Sequence, residues 1–270
     1  MHKPANEVKR IGVAKSDQAG SADDQPTPQG GDLVRRHHLL TRLWHWLNAV
    51  VVTVMLMSGL MIFNAHPRLY WGQYGANFDH AWLDLSGGDG VPFPGWITIP
   101  AKYSLADARL WHFAFAWILV VAITGFLLWS LISGHLKRDL APRPAELAPS
   151  HVWQEIKAHA RLRFPTGKAA LRYNILQKLA YGGVLFVLLP GVILTGLTMS
   201  PGMNAALPWL VDIFGGRQSA RSLHFLCTFA LVAFFFIHIA MVLLAGPINE
   251  LRSILTGWYR LPREREEPIP

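Results

Sequence analysis

The residues of this chain best suited to chemistry are histidines that lie inside long apolar segments. The tetrapeptide RLWH stands at residues 42–45 and again at 109–112, and RSLH stands at 221–224. Each of these histidines follows an arginine by three residues, and another histidine lies further along the last apolar segment. An ionisable side chain inside a membrane helix is costly, and its presence usually marks a functional site. The candidate site residues are His45, His112, His224 and His238.

The last apolar segment indicates how two of these histidines are arranged. His224 and His238 are 14 residues apart, a separation of nearly four helical turns and about 21 Å along a helix axis. Both rings would leave almost the same face of the helix, one near each end. We therefore expect two sites at two depths.

The segments that must position the histidines are long enough to cross a bilayer. Hydrophobic residues make up 51% of the 270 residues, and the mean hydropathy of +0.25 is high for a soluble protein. A helix needs about 20 apolar residues to cross the hydrocarbon layer, and an unpaired backbone cannot lie in lipid. We predict an all-α membrane bundle with four spanning helices, at 43–63, 110–133, 175–199 and 220–245.

The basic residues are unevenly distributed among the connecting segments. Of the 25 Lys and Arg residues, only five fall outside three regions: before or opening the first span, between the second and third, and after the fourth. This positive-inside pattern predicts cytoplasmic termini, a cytoplasmic inner loop at 134–174, and an outer loop at 64–109 on the other side. Attraction to anionic lipid accounts for the net charge of +8, so we expect the lipid bilayer and not nucleic acid as a partner.

The rest of the chain divides into tails and loops. Residues 1–36 have no apolar run like that of a signal peptide, and their polar composition predicts a disordered cytoplasmic tail. The membrane domain is predicted over 37–262, followed by a short tail at 263–270. The outer loop carries three Trp and three Tyr among Gly and Pro. It could rest at the membrane interface, dock a partner protein, or fold as a lid over its own helices.

The predicted topology brings the histidines together in pairs. The first span runs outward and the second inward, so His45 lies at the depth of His238, and His112 at that of His224. Neutral imidazoles bind metals, and helix bundles hold cofactors between facing helices. Two stacked pairs predict two six-coordinate b-type haems that transfer electrons and do no chemistry at the iron. The only cysteine, Cys227, excludes a c-type haem attachment and a Cys-ligated iron–sulfur cluster.

Neighbouring residues complete the predicted haem sites. An arginine one turn from each of three histidines could pair with a haem propionate, although such arginines also occur as positive flanks that snorkel. Glycines 14 and 13 residues beyond the histidines of the first two spans could make room for a macrocycle; close helix packing is the alternative. These residues are Arg42, Arg109 and Arg221 for the propionates and Gly59 and Gly125 for the macrocycles.

Several of these segments resemble one family of membrane proteins, the four-helix di-haem cytochromes b. That group includes bacterial cytochrome b561, the b-type subunits of nickel–iron hydrogenases, and the membrane subunits of formate dehydrogenase and thiosulfate reductase. The RYN-x-x-Q segment and the YWG at 70–72 are most similar to the last branch, and the resemblance covers about residues 35–262. The features that carry it are RLWHWLNA at 42–49, His112, LRYNILQKLAYG at 171–182, and the His224/His238 pair.

The resemblance implies a place for the protein in a bacterial inner membrane. In the family the outer haem exchanges electrons with a periplasmic dehydrogenase or reductase, often a molybdenum enzyme and in other members a hydrogenase. The inner haem exchanges them with a quinone. Because a matching asparagine lies near the inner haem in the family, Asn174 is the first candidate for quinone contact, followed by Tyr173 and Gln177. A polar start to the third span is the alternative.

Three functions compete on the sequence alone. The first is a di-haem electron-transfer subunit between a periplasmic oxidoreductase and the quinone pool. The second is a stand-alone cytochrome b561 that acts as a superoxide:quinone oxidoreductase, and copurification of a soluble subunit would separate it from the first. The third is a transporter or structural bundle without haem, which would need a polar path that the apolar spans do not offer.

Overall fold

The computed structural model describes residues 29–88, 90–163 and 165–263, and these residues are mostly helical. Short 3-10 segments lie at Gly95–Ile97, Pro144–Leu147 and Gly167–Leu171, and single π-helical turns at Leu136–Leu140 and Val184–Leu188. The α-helices are α1 (Leu39–Asn64), α2 (Leu105–Ile132), α3 (Pro149–Ala160), α4 (Ile175–Gly183), α5 (Leu189–Met199), α6 (Pro201–Ala206), α7 (Trp209–Ile213), α8 (Arg217–Ala245) and α9 (Pro247–Thr256). The strands are β1 (Leu33–Arg35), β2 (Arg68–Leu69), β3 (Leu83–Asp84) and β4 (Trp258–Arg260).

Four stretches of helix in the described chain are long and apolar enough to cross a membrane: Leu39–Asn64, Leu105–Ile132, Ile175–Met199 and Arg217–Ala245. They coincide with the four predicted spans, and three of them begin three to five residues earlier. Each extra turn contains at least one charged residue, so hydropathy alone does not indicate it. At the start of α2, for example, the Ser104 hydroxyl accepts a hydrogen bond from the Asp107 amide (3.3 Å) and caps the helix.

The third span is built from two helices joined by the π-helical turn at Val184–Leu188. Pro190, the second residue of α5, has no backbone N–H to continue an α-helical ladder. A single π turn is a common way to accommodate such a break inside a long helix. The turn rotates α5 relative to α4 and so decides which residues of α5 meet α8.

The spans pack in two close pairs, α1 with α2 and α5 with α8. A buried apolar cluster that includes Val51, Ile123 and Leu189 joins the two pairs. Within the first pair, the indole Nε1 of Trp44 donates a hydrogen bond to the Ala122 carbonyl at 3.0 Å. Large apolar side chains cover the outside of the bundle, as a lipid environment requires.

The end of the bundle that carries His45 is called the inner end, after the predicted orientation. There β1 pairs antiparallel with β4, which joins the two ends of the described chain. Arg36 forms an ion pair with Glu250 (3.1 Å) and lies over the Tyr259 ring, 4.5 Å from its centroid. Of the two predicted tails, residues 1–28 and 264–270 lie outside the described residues. The predicted disorder is wrong for residues 33–35, because their backbone pairs with β4 to form a strand.

The opposite end, called the outer end, is covered by the loop of residues 65–88 and 90–104. The strands β2 and β3 pair within this loop. The Trp82 indole donates to the Ser222 hydroxyl (2.9 Å), and the Ser219 hydroxyl accepts from the Gly72 amide (2.7 Å). The loop therefore packs on the first turns of α8 as a lid. It still exposes Tyr74 and Phe78, which are 84% and 92% accessible.

Candidate functional site

Two pairs of histidine rings face each other between the spans. The ring centroids of His45 and His238 are 6.3 Å apart, and those of His112 and His224 are 6.2 Å apart. A metal–nitrogen bond of about 2 Å on each side of a metal, plus half a ring at each end, separates two trans imidazoles by roughly 6 Å. Both pairs match this spacing, and they are the pairs that the sequence predicts. The histidines would supply two ligands to an iron, and a haem macrocycle would supply the other four.

The outer pair (His112 and His224) is held by hydrogen bonds that define its tautomers. His112 Nδ1 lies 3.1 Å from the Ser58 Oγ and 3.1 Å from the Met55 carbonyl oxygen. The Ser58 hydroxyl already donates its proton to the Val54 carbonyl (2.7 Å). Ser58 can therefore only accept from the ring, so Nδ1 carries the hydrogen and Nε2 keeps its lone pair for a metal.

His224 is held in the same way by α5. Its Nδ1 lies 3.0 Å from the Thr195 Oγ1, and the Thr195 hydroxyl donates to the Gly191 carbonyl at 2.6 Å. The Val192 carbonyl also interacts with the His224 ring. The hydrogen again lies on Nδ1, and Nε2 is again available.

Two glycines allow the outer rings to approach the neighbouring helices. A Cβ added at Gly59 would lie 3.3 Å from His112 Cε1, and one at Gly196 would lie 3.4 Å from His224 Cε1. Gly59 therefore lies at the depth that the sequence predicts, in contact with the ring of the outer ligand. A Cβ at Gly125 would meet nothing within 4 Å. That space is free for a macrocycle or a lipid chain.

The sequence analysis missed Ser58, Thr195 and Gly196 as site residues. A signal is present in the chain, because Ser-Gly-Leu at 58–60 and Thr-Gly-Leu at 195–197 each precede an Arg-x-x-His segment at the start of the next span. Side-chain type alone does not distinguish these hydroxyls from the many that bond to their own helix. Only the pairing of α1 with α2 and of α5 with α8 shows which ones meet a histidine.

The inner pair (His45 and His238) has a different environment. His45 Nδ1 is buried and has no hydrogen-bond partner in the described part of the chain. The same holds for Arg42 Nε and Asn48 Oδ1, on the same two turns of α1. The ring of Phe234 stacks on His238 with 5.9 Å between centroids. The inner site thus combines an apolar wall with polar atoms that a bound group or water could satisfy.

The three candidate propionate arginines make protein contacts of two kinds, hydrogen bonds to backbone carbonyls and a contact with an aromatic ring. The Arg42 guanidinium donates to the Leu255 carbonyl in α9. Arg109 is exposed, and its guanidinium carbon lies 5.7 Å from the centroid of the Phe113 ring. The Arg221 guanidinium donates to the carbonyls of Arg68 (3.0 Å) and His66, within the lid.

The candidate quinone residues lie at the start of the third span. The Asn174 side chain accepts from the Gln177 amide (2.9 Å), and the Gln177 side chain accepts from the Asn174 amide (3.2 Å), so together they form the capping box of α4. The side-chain nitrogen of Asn174 (Nδ2) also contacts His159 Nε2 at 3.2 Å. Tyr173 is half-buried, and burial raises the pKa of its phenol.

A row of aromatic rings connects Tyr173 to the inner histidine pair. Tyr173 packs edge-to-face on Tyr181 with 5.4 Å between centroids, and Tyr181 packs on Phe234 with 6.4 Å. Phe234 in turn stacks on His238. The row leads from the start of the third span to His238, a candidate axial ligand, without a gap.

Carboxylates surround this inner surface. Asp139 contacts His135 Nδ1 at 2.7 Å. Glu146 binds the buried ammonium of Lys178 with both oxygens (2.7 and 3.0 Å). The backbone N–H of Arg143 and then Lys178 lower the pKa of Glu146.

Comparison with known proteins identifies the family. Residues 36–257 match the prokaryotic cytochrome b561 family. The chain belongs to this family, which confirms the family resemblance read from the sequence.

Individual relatives agree with this assignment. The chain is 30% identical over 210 residues to the putative protein-methionine-sulfoxide reductase subunit YedZ1 of Azospira oryzae, covering 75% of this chain and 87% of the relative. It is 23% identical over 242 residues to a probable Ni/Fe-hydrogenase B-type cytochrome subunit of Azotobacter vinelandii, covering 84% and 88%. A probable Ni/Fe-hydrogenase B-type cytochrome subunit of Cupriavidus necator is 24% identical over 208 residues, covering 73% and 74%.

Fold, site and family together define the class of protein. The chain is a multi-pass membrane cytochrome b with b-type haem, and it acts as an electron-transfer subunit beside an oxidoreductase partner.

Proposed function

We propose that this protein carries two b-type haems and transfers electrons between a periplasmic oxidoreductase and the quinone pool. It lies in the bacterial inner membrane with both termini in the cytoplasm. The observation that supports this most directly is the spacing of the two histidine pairs, 6.2 and 6.3 Å between ring centroids, with one member of each pair on α8. His224 and His238 hold the two sites about 21 Å apart along that helix.

Each residue of the two pairs has one task in this function. The two histidines of each pair would hold one haem through their Nε2 atoms, and its iron would then serve electron transfer and not the binding of a substrate. Haem supplies a one-electron change of iron that needs no proton at the metal. The surrounding helices hold the two sites in line.

The partner at the outer end is proposed to be a periplasmic molybdenum enzyme, with a hydrogenase as the other possibility. Relatives named as subunits of a methionine-sulfoxide reductase and of hydrogenases support an oxidoreductase partner. The exposed aromatic residues of the lid, Tyr74 and Phe78 among them, support contact with a protein at this end.

The quinone is proposed to bind at the inner end, beside Tyr173. The aromatic row from Tyr173 through Tyr181 and Phe234 to His238 supports this place. Asn174 and Gln177 border the same surface, although their side chains also cap α4. Reduction of a quinone takes up two electrons and two protons, and the surface beside Tyr173 is where protons from the cytoplasm would arrive.

The haem content tests the core of the proposal. A pyridine haemochrome assay on the detergent-purified protein should give two b-type haems per chain, with a reduced-minus-oxidised spectrum of six-coordinate haem. Well-folded protein without haem would overturn the proposal.

The partner is tested by purification of the complex from membranes. A soluble subunit that copurifies and contains molybdenum supports the proposed partner, whereas one that contains nickel and iron indicates a hydrogenase. Protein that purifies alone and whose haem is reduced by superoxide favours the stand-alone superoxide:quinone oxidoreductase.

The quinone site is tested by the rate at which added quinone oxidises the reduced haems. Tyr173→Phe should slow this oxidation and raise the quinone concentration needed for half the maximal rate. Tyr103→Phe, a change at an exposed tyrosine of the outer loop, is the matched control. Equal rates for the two variants would remove Tyr173 from the site.

A further inference from the structure

The outer histidines are held by the same arrangement of atoms on two different helix pairs. A backbone carbonyl and a hydroxyl three residues later contact one imidazole, and the glycine directly after the hydroxyl leaves room for the ring. On α1, Met55 and Ser58 contact His112, and a Cβ at Gly59 would lie 3.3 Å from its ring. On α5, Val192 and Thr195 contact His224, and a Cβ at Gly196 would lie 3.4 Å from its ring.

We propose that Ser58 and Thr195 are positioning residues for the outer haem, each acting through the imidazole that it contacts. The proposal rests on the haem-binding function proposed above. The hydroxyls set the tautomer and the ring orientation of the two outer axial ligands. The inner pair has no corresponding support in the described chain, since His45 Nδ1 is buried without a partner. The two haems are therefore held unequally.

The direction of the hydrogen bonds determines how each hydroxyl acts on its imidazole. Each hydroxyl donates its own proton to a carbonyl of its helix, that of Val54 for Ser58 and that of Gly191 for Thr195. It can then only accept the imidazole Nδ1–H. Such an acceptor increases the electron donation of Nε2 to a metal and fixes the ring plane. A stronger donor stabilises oxidised iron, so each hydroxyl lowers the reduction potential of the outer haem.

The structure provides a close control for Thr195. Thr195 and Thr198 are both buried, 1% and 0% accessible. Both donate their hydroxyl to a carbonyl of the same span, at 2.6 Å. Only Thr195 also contacts a histidine. Replacing either threonine by valine removes a buried hydroxyl that donates to its own span. Only the replacement of Thr195 also removes a hydrogen bond to an axial-ligand candidate, His224.

The experiment compares Thr195→Val, Thr195→Ser and Thr198→Val in the full-length protein. Haem content, haem release to apomyoglobin, the redox titration and the low-spin electron paramagnetic resonance signal are measured for each. Thr195→Val should raise the reduction potential of one haem, change its resonance signal and speed its release about tenfold. Thr195→Ser keeps a hydroxyl at this position and should have the reduction potential, resonance signal and haem release rate of the wild type. Thr198→Val should also match the wild type. The haem affected should be the one that is lost when His224 is replaced.

Ser58 gives a second test on the other helix pair. Ser58→Ala should shift the same haem in the same direction. Thr53→Val is its control, because Thr53 makes the same bond to its own helix (Ala49 carbonyl, 2.7 Å) on an exposed face. This test remains informative if Thr195→Val does not fold.

The possible results separate this inference from the proposed function. Wild-type protein without a haem at the outer pair overturns both. Two haems in the wild type with unchanged potentials and signals in Thr195→Val and Ser58→Ala overturn the positioning role alone. Equal changes in Thr195→Val and Thr198→Val would show a loss of packing and would also overturn it.

Discussion

The two ends of the bundle hold similar histidine pairs by different means. At the outer end, the histidine ring nitrogens are hydrogen-bonded to the hydroxyls of Ser58 and Thr195. Arg221 donates a hydrogen bond to a carbonyl of the lid. At the inner end, polar atoms of α1 around His45 have no partner among the residues that the structure describes. The surrounding segments there are connected by carboxylate ion pairs such as Arg36–Glu250 and Lys178–Glu146. The outer site is thus organised by the protein itself. The inner site leaves bonding capacity for a cofactor, water or substrate.

The difference between the two sites is consistent with the electron transfer proposed at the outer end and the quinone exchange proposed at the inner end. A haem that receives electrons from, or gives them to, a docked protein benefits from a fixed ligand geometry, because reorganisation slows the transfer. A site next to an exchanging quinone must admit a polar molecule and protons. Unsatisfied buried polar groups cost free energy unless something binds them, so the inner end retains them at a cost that a bound group would offset.

The largest expected effect is the loss of one axial ligand from either pair. His224→Ala should remove the outer haem and leave about one haem per chain, whereas His238→Ala should remove the inner haem and leave the outer one. The two variants should lose haems of different reduction potential, as measured by haemochrome assay and redox titration. Retention of both haems in His224→Ala, or loss of the same haem in both variants, would contradict the pairing.

A smaller effect is expected from the glycines that border the two sites. A methyl group at Gly59 or Gly196 lies 3.3 or 3.4 Å from an outer ring and must displace it by a few tenths of an ångström. Gly59→Ala and Gly196→Ala should weaken retention of the outer haem about tenfold. Gly125→Ala, which meets nothing within 4 Å, is the control.

If Gly125 borders the inner macrocycle, Gly125→Leu should remove the inner haem alone; an unchanged haem content would place Gly125 against lipid.

Much of this contrast lies beyond what the sequence predicts. Hydropathy predicts the four spans, because crossing lipid demands some 20 apolar residues whatever the packing. The 14-residue spacing of His224 and His238 and the charge bias of the loops then predict which histidines share a depth. These are properties of single helices and of overall orientation, and they need no knowledge of side-chain contacts.

Contacts between helices account for what the sequence analysis missed. Thr195 meets His224 only because the π turn before Pro190 sets the rotation of α5, and local sequence does not reveal that rotation. Residues 33–35 form a strand because they find a partner more than 200 positions away. Asn174 and Gln177 were predicted for quinone contact from the family pattern, and the structure shows in addition that they cap a helix. Their role toward quinone stays a prediction.

The smallest expected effect concerns how acid acts on the two ends. The pKa of Glu146 is lowered by the Arg143 N–H and by Lys178, so the ion pair stabilises the fold fully above the ordinary Glu pKa of 4.5. This contribution is lost as the pH falls through the lowered value. Glu146→Gln should therefore destabilise the protein by about 2 kcal/mol at pH 7, and the difference from wild type should shrink as the pH falls below 4.5.

The outer end supplies the comparison for this effect. Trp82→Phe removes the indole N–H that donates to Ser222, a bond between groups that do not titrate in this range. It should cost about 1 kcal/mol at pH 7 and the same amount at pH 4, measured by thermal unfolding in detergent. A Glu146→Gln effect as independent of pH as that of Trp82→Phe would mean that the carboxylate does not hold the inner loop. The two ends would then differ only in how they support their histidines.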